Sequence, residues 1–256
     1  MTTTLAVVGK GGTGKTTFAA LTIKYLLETG RRPILAIDGD PSSNLNLVLG
    51  MELRQTVGQI REETKEQVAG GRFQAGIAKP DWFEYQVNEC LVEGDGVDLL
   101  AMGRPEGPTC YCAANNMLRA CIDRLGNHYP WVVIDNEAGM EHISRQTTRD
   151  VDILFIISDP NYRGLAAAEH IVRLTKELGT RIGQSYLVIN NVRGELPEAL
   201  RRQAEALGVP LLGTLPHDPA VAEADLLGRP LIALGEDSLI YPQVKVLLRQ
   251  VLPDGV

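Results

Sequence analysis

A chain of 256 residues, 44% of them hydrophobic, can bury a full core, and the expectation is one domain spanning residues 1–256. The formal net charge of -7 repels nucleic acid, whose non-specific binding rests on Lys and Arg, so a DNA-partitioning role is disfavoured and no nucleic-acid partner is expected. The longest apolar runs, such as 153–157, are strand-sized, and no basic segment precedes a long apolar stretch at the N-terminus, so the protein is expected in the cytoplasm with no membrane partner.

Strand-like apolar runs at 5–8, 33–37, 97–102, 131–134, 153–157, 186–189 and 211–215 alternate with helix-like stretches from end to end. Because these runs are apolar on both faces, they predict an α/β fold with a mainly parallel central sheet flanked by helices on each side. Ligands of such sheets lie beyond the carboxyl ends of the strands, which is where the polar motifs of this chain fall.

The first run leads into Gly9-Lys10-Gly11-Gly12-Thr13-Gly14-Lys15-Thr16-Thr17. Gly9, Gly14, Lys15 and Thr16 fit the phosphate-cradling pattern G-x-x-x-x-G-K-[ST], in which backbone N–H groups and a helix N-terminus surround phosphate oxygens. Lys15 then meets the β- and γ-phosphates and the Thr16 hydroxyl meets Mg²⁺, which makes ATP and Mg²⁺ the expected ligands. The helix that follows, 16–28, is predicted to stop at Gly30.

The second strand ends in Asp38-Gly39-Asp40-Pro41. Two carboxylates beside a phosphate site orient Mg²⁺-bound or attacking water, although Asp and Pro are also ordinary turn formers. Residues 51–93 carry little signal beyond helix-like stretches at 57–68 and 82–91, and Cys90 reads as a buried bystander.

After the third strand a Gly/Pro-rich loop carries Cys110-Tyr111-Cys112 to the start of a helix running to about residue 125. Four cysteines in a cytoplasmic chain do not make a disulfide framework, and a close pair there more often binds metal or does redox chemistry. Two thiolates leave a tetrahedral site half-filled, whereas a twofold homodimer with this loop on its axis supplies four. An idle reduced pair and a local redox disulfide are the competing readings. Cys121 reads as core.

The strand at 131–134 ends in Asp135, placed to hold Mg²⁺ through water, and Gly139 follows where a backbone N–H can sense a γ-phosphate. Glu137, Glu141 and His142 read either as relays and extra ligands or as solvated residues at a helix start. Further on, Asn190-Asn191 has the donor and acceptor to read an adenine edge, and Pro216-His217-Asp218 forms a loop downstream. The closing segment 241–252 is amphipathic without a dense basic face, as suits a docking helix.

With a lysine at its start as well, the stretch Lys10-Gly11-Gly12-Thr13-Gly14-Lys15-Thr16-Thr17 is similar to the deviant P-loop of the MinD, ParA and nitrogenase iron protein superfamily. That resemblance implies a P-loop NTPase fold of the MinD/nitrogenase iron protein type and an ATP-dependent homodimer in which Lys10 reaches the partner's phosphates, unless it is a plain solvated charge. It further implies Asp40 as the residue activating water, Asp38 near the Mg²⁺ shell, Asn190 and Asn191 as base readers, and Pro216 in the loop on the opposite base face. The Cys110-Tyr111-Cys112 loop and the 135–142 switch resemble the CooC-type nickel-insertion ATPases that mature carbon monoxide dehydrogenase, and their AcsF relatives for acetyl-CoA synthase. Ni²⁺, with Zn²⁺ able to take the same thiolates, is the implied cargo, and one of those two enzymes the client. The nitrogenase iron protein instead takes one cysteine from each of two loops, and here Asn136 follows Asp135 with no cysteine through Arg145. The alternatives are a MinD/ParA-like positioning switch on a membrane or DNA surface, and a redox ATPase carrying a cluster.

Overall fold

The computed structural model describes residues 2–60, 62–63, 79–103, 120, 122–136, 150–177, 181–235 and 237–252. Their strands are β1 (Thr3–Gly9), β2 (Ile34–Asp38), β3 (Val97–Ala101), β4 (Trp131–Asp135), β5 (Val151–Ser158), β6 (Ile182–Val192) and β7 (Leu211–Pro216). All pair in parallel, in the order β3-β2-β4-β1-β5-β6-β7. Every predicted strand is present, and the mainly parallel sheet is the one expected. Among the described residues no helix is long and apolar enough to cross a membrane.

The period of two along each strand separates two cores. On β1, Leu5 and Val7 face one side with Ala36, Val133 and Phe155, while Ala6 and Val8 face the other with Ile37, Ile134 and Ile156. The first core is closed by helices α1 (Lys15–Glu28), α2 (Leu45–Leu49), α6 (Pro219–Leu226) and α7 (Ile240–Val251). The second lies under α3 (Lys79–Glu89), α4 (Tyr162–Glu177) and α5 (Glu198–Glu205). Burial on both faces is why the strands read as apolar runs without alternation.

Helix α1 is the most deeply packed. Phe18, Leu21, Ile23 and Leu26 are buried, and Phe18 meets Phe155 edge-on with ring centroids 5.1 Å apart. It ends as expected around Gly30, with Gly30 N–H donating to Leu27 O and Arg31 N–H to Leu26 O, a Schellman closure. The connection from β1 runs to β2 on one side of the sheet and that from β5 to β6 on the other. A crevice therefore opens at the carboxyl ends of the adjacent strands β1 and β5.

Candidate functional site

The turn after β1 occupies that crevice. A Cβ at Gly9 would stand 2.3 Å from the Ile157 carbonyl oxygen of β5, so only glycine lets the two strands come this close. Beyond it the loop is tied to one atom, the carbonyl oxygen of Lys10, which accepts from Thr13 N–H at 3.3 Å, Thr13 Oγ1 at 2.8 Å and Lys15 Nζ at 3.3 Å. The ammonium of Lys15 is thereby held within the loop, with the residue buried, whereas Lys10 is exposed and its ammonium has no partner among the described residues. Gly11, Gly12, Thr17 and the rest of the predicted cradle lie in this one turn and the first turn of α1. That first turn has no side-chain cap, so its N–H groups are left to an anion.

Gly14 carries the tightest restraint. Its φ is 88°, and a Cβ there would lie 2.3 Å from Asn190 Nδ2, which donates to Thr13 O at 2.9 Å. Gly14→Ala should therefore cost about 1–3 kcal/mol through left-handed strain and a broken loop staple. Gly11→Ala, with nothing within 4 Å of its Cβ, should leave the melting temperature unchanged. Thermal melts of the two variants side by side check this, and equal loss in both would contradict it.

On the α1 side of the sheet the ends of β2 and β4 bring two buried carboxylates together, Asp38 and Asp135 being in register on neighbouring strands. Thr16 Oγ1 donates to Asp135 Oδ2 at 2.6 Å, and Asp135 Oδ1 is buried with no partner. Burial above all pushes the Asp135 carboxyl up to about 7; the Thr16 hydrogen bond opposes it, Asp38 adds to it, Lys15 opposes it and Asp40 adds to it. A partnerless buried oxygen, adjoining carboxylates and a hydroxyl are a hard-oxygen donor set that fits Mg²⁺.

Asp38 is tied into its own loop. Its Oδ1 accepts from Asp40 N–H at 3.0 Å and its Oδ2 from Leu45 N–H at 2.9 Å, so it shapes the loop that carries Asp40. Burial raises its carboxyl above the ordinary value, and these backbone donors work against that. Asp40 itself accepts from Ser42 N–H at 2.8 Å through Oδ1, a turn-forming bond, which leaves Oδ2 without a protein donor among the described residues.

A cavity of about 500 Å³ runs from Gly12, Gly14, Thr16 and Thr17 to Asn190, Asn191, Pro216, His217 and Asp218. The predicted phosphate and base residues thus share one space. Asn190 gives one of its two amide N–H groups to the glycine loop, and its Oδ1 is buried and unpartnered. Asn191, with φ 59°, is exposed and turns the chain at the cavity wall.

Gly139, Cys110, Cys112, Cys121, Glu137, Glu141 and His142 lie outside the described residues. Among the described residues no group of three or more His, Cys, Asp and Glu is set to hold a metal ion. Cys90 is buried, and burial, with Glu63 and Glu89 nearby, lifts its thiol to about 12, as suits a bystander.

Sequence reasoning placed Asp218 in the loop after β7 without a role of its own. Its Oδ1 accepts from Ala220 N–H at 2.9 Å, and its Oδ2 from Ser238 Oγ at 2.8 Å, Leu239 N–H at 2.7 Å and Ile240 N–H at 3.0 Å. The signal was an aspartate directly before Pro219 at a helix start, an N-cap signature. Nothing local announces the second helix it holds.

Comparison with known proteins places this geometry. Residues 5–231 match the family model of the CobQ/CobB/MinD/ParA nucleotide binding domain. An ATP-binding protein of Methanocaldococcus jannaschii is 45% identical over 248 residues, covering 97% of this chain and 98% of the relative. The carbon monoxide dehydrogenase accessory protein CooC of Rhodospirillum rubrum is 31% identical over 242 residues, covering 88% of this chain and 87% of CooC. Among solved structures, the septum site-determining protein MinD of Pyrococcus horikoshii complexed with Mg-ADP superposes with a TM-score of 0.69 at 22% identity, covering 98% and 96% of the two chains.

Proposed function

The chain belongs to the CobQ/CobB/MinD/ParA nucleotide-binding family, and from that premise we propose that it is an Mg²⁺-dependent ATPase acting as a dimeric metallochaperone. The observation that carries the ATPase reading is the Thr16–Asp135 bond beside the buried, unpartnered Asp135 Oδ1, at the mouth of a glycine loop holding Lys15. Thr16 and Asp135 would hold the magnesium ion, whose bound charge neutralises the β- and γ-phosphates. Residues 9–17 bind the phosphates through backbone N–H groups and Lys15, while Asn190, Asn191 and Pro216 line the base end. Asp40 orients the attacking water through Oδ2, held in place by Asp38. Lys10, with its ammonium free of the described residues, reaches the phosphates of the second copy in a homodimer.

The cargo reading rests on Cys110 and Cys112 and is supported by the likeness to the CooC accessory protein. Each subunit contributes its cysteine pair to a four-thiolate site for nickel, which zinc can also fill, and the client is carbon monoxide dehydrogenase or acetyl-CoA synthase. Closure with ATP and reopening on hydrolysis change metal affinity, and by linkage the metal changes nucleotide affinity to the same degree.

Anaerobic titration with Ni²⁺ and Zn²⁺, with and without a non-hydrolysable ATP analogue, tests this. The wild-type protein should bind metal stoichiometrically, and Cys110→Ala/Cys112→Ala should abolish that while nucleotide binding persists. Unchanged stoichiometry in the double variant would refute the metal site. Co-sedimentation with vesicles or duplex DNA in the presence of ATP would favour the positioning-switch reading instead.

A further inference from the structure

The cavity has two ends of different build. One is the glycine loop and the α1 N-terminus; the other is walled by Pro216, His217, Asp218, Val221 and Ile240. With the phosphates at the first end, the second receives the nucleoside. That wall belongs to the β7–α6 turn and the α7 N-terminus, which are neighbours only through tertiary packing.

Asp218 joins them. It is 5% exposed, and its four accepted hydrogen bonds come from the protein: one from α6, through Ala220 N–H, and three from Ser238, Leu239 and Ile240. Ser238 Oγ in turn accepts from Tyr241 N–H at 3.2 Å, and Tyr241 donates its hydroxyl to Glu28 Oε2 at 2.6 Å. Glu28 is the last residue of α1, the helix whose other end is the phosphate loop. On the far side, His217 N–H donates to Val192 O of β6 at 3.0 Å. The nucleoside wall is therefore spaced from the phosphate loop by a continuous set of contacts through α7.

We infer that Asp218 is a positioning residue for nucleotide recognition: by capping α6 and α7 together it presets the nucleoside wall, so that the C-terminal helix sets the affinity for the nucleoside part of ATP. The inference rests on the nucleotide reading of the cavity. A carboxylate is needed because three donors converge on one oxygen and a fourth reaches the other. An amide has an oxygen on one side only, and its –NH₂ would face donors on the other.

The experiment is calorimetric titration of the full chain with Mg-ATP and, separately, with Mg-tripolyphosphate, which carries the phosphates without the nucleoside. Asp218→Asn should weaken ATP binding about tenfold or more, and Ser238→Ala, which removes one donor, about threefold to tenfold. Both variants should bind tripolyphosphate as the wild type does, and Ser238→Thr should restore ATP affinity. Should Asp218→Asn not fold, Ser238→Ala carries the test alone. ATP and tripolyphosphate affinities falling together would mark Asp218 as a structural cap only, and ATP affinity unchanged in Ser238→Ala would equally overturn the inference. A wild-type protein that binds neither ligand is a different failure, that of the nucleotide reading itself.

Discussion

Replacing Asp135 with asparagine is expected to raise the melting temperature while removing Mg²⁺-dependent ATPase activity. Asp135 is 1% exposed, one of its oxygens has no partner, and Asp38 lies beside it in register. Burial is the main reason its carboxyl is pushed up to about 7 from 3.8. A carboxyl with a raised folded-state value favours folding in its protonated form, so its contribution is most favourable below 3.8 and is lost as pH rises towards about 7. Above that the carboxylate is a standing penalty on the order of a few kcal/mol. The asparagine variant keeps an acceptor for Thr16 Oγ1 and carries no charge. Its gain in melting temperature should therefore be small in acid, grow through the interval up to about 7, and level off beyond. Turnover should fall about 10²–10³-fold or more, since an anionic oxygen for the metal is gone. Melting curves across pH, with phosphate-release rates at saturating Mg²⁺, check both halves. A variant less stable than the wild type at every pH would show that the carboxylate supports the fold, and unchanged turnover would remove Asp135 from the reaction.

The second large effect is expected at Lys10. Its backbone oxygen organises the glycine loop by accepting from Thr13 and Lys15, and that function survives any side-chain substitution. The ammonium itself is solvent-facing and without a partner among the described residues. Lys10→Ala should accordingly fold and bind ATP as the wild type does, yet lose about 10³-fold in turnover, the scale of a cation supplied in trans to a phosphoryl-transfer site. Mixing separates trans from cis action. A Lys10→Ala chain keeps Asp40 and lacks the reaching lysine, while an Asp40→Ala chain has the reverse defect. Equimolar mixing should recover activity neither variant has alone, and the recovery should grow with protein concentration. Absence of any recovery, with both variants folded and ATP bound, would place Lys10 in its own site or outside catalysis.

Much of this molecule was legible because its signals are local. Strands buried on both faces read as short apolar runs, and the sheet found is the one those runs imply. The glycine loop was legible because phosphate binding by backbone N–H groups demands glycine at set intervals, next to a lysine and a hydroxyl. Asp38, Asp40 and Asp135 were legible as residues at strand ends beside that loop. Their division of labour was not. Asp38 reads in sequence as a residue near the Mg²⁺ shell, and the fold adds that each of its oxygens accepts from a backbone N–H, of Asp40 and of Leu45. Asn190 reads as donor and acceptor for a base, and the fold adds that one N–H of its amide is tied to Thr13 O, 177 residues away in the chain.

The sequence by itself determined the class of fold, the phosphate-binding turn and the carboxylates available to work beside it, since period and spacing follow from backbone geometry over a few residues. Only the tertiary structure decided which atoms of those residues are free. Thr16 and Asp135 are 119 residues apart and Asp218 joins two separate helices, and such pairings depend on how strands order and helices pack, information that no local window of sequence carries.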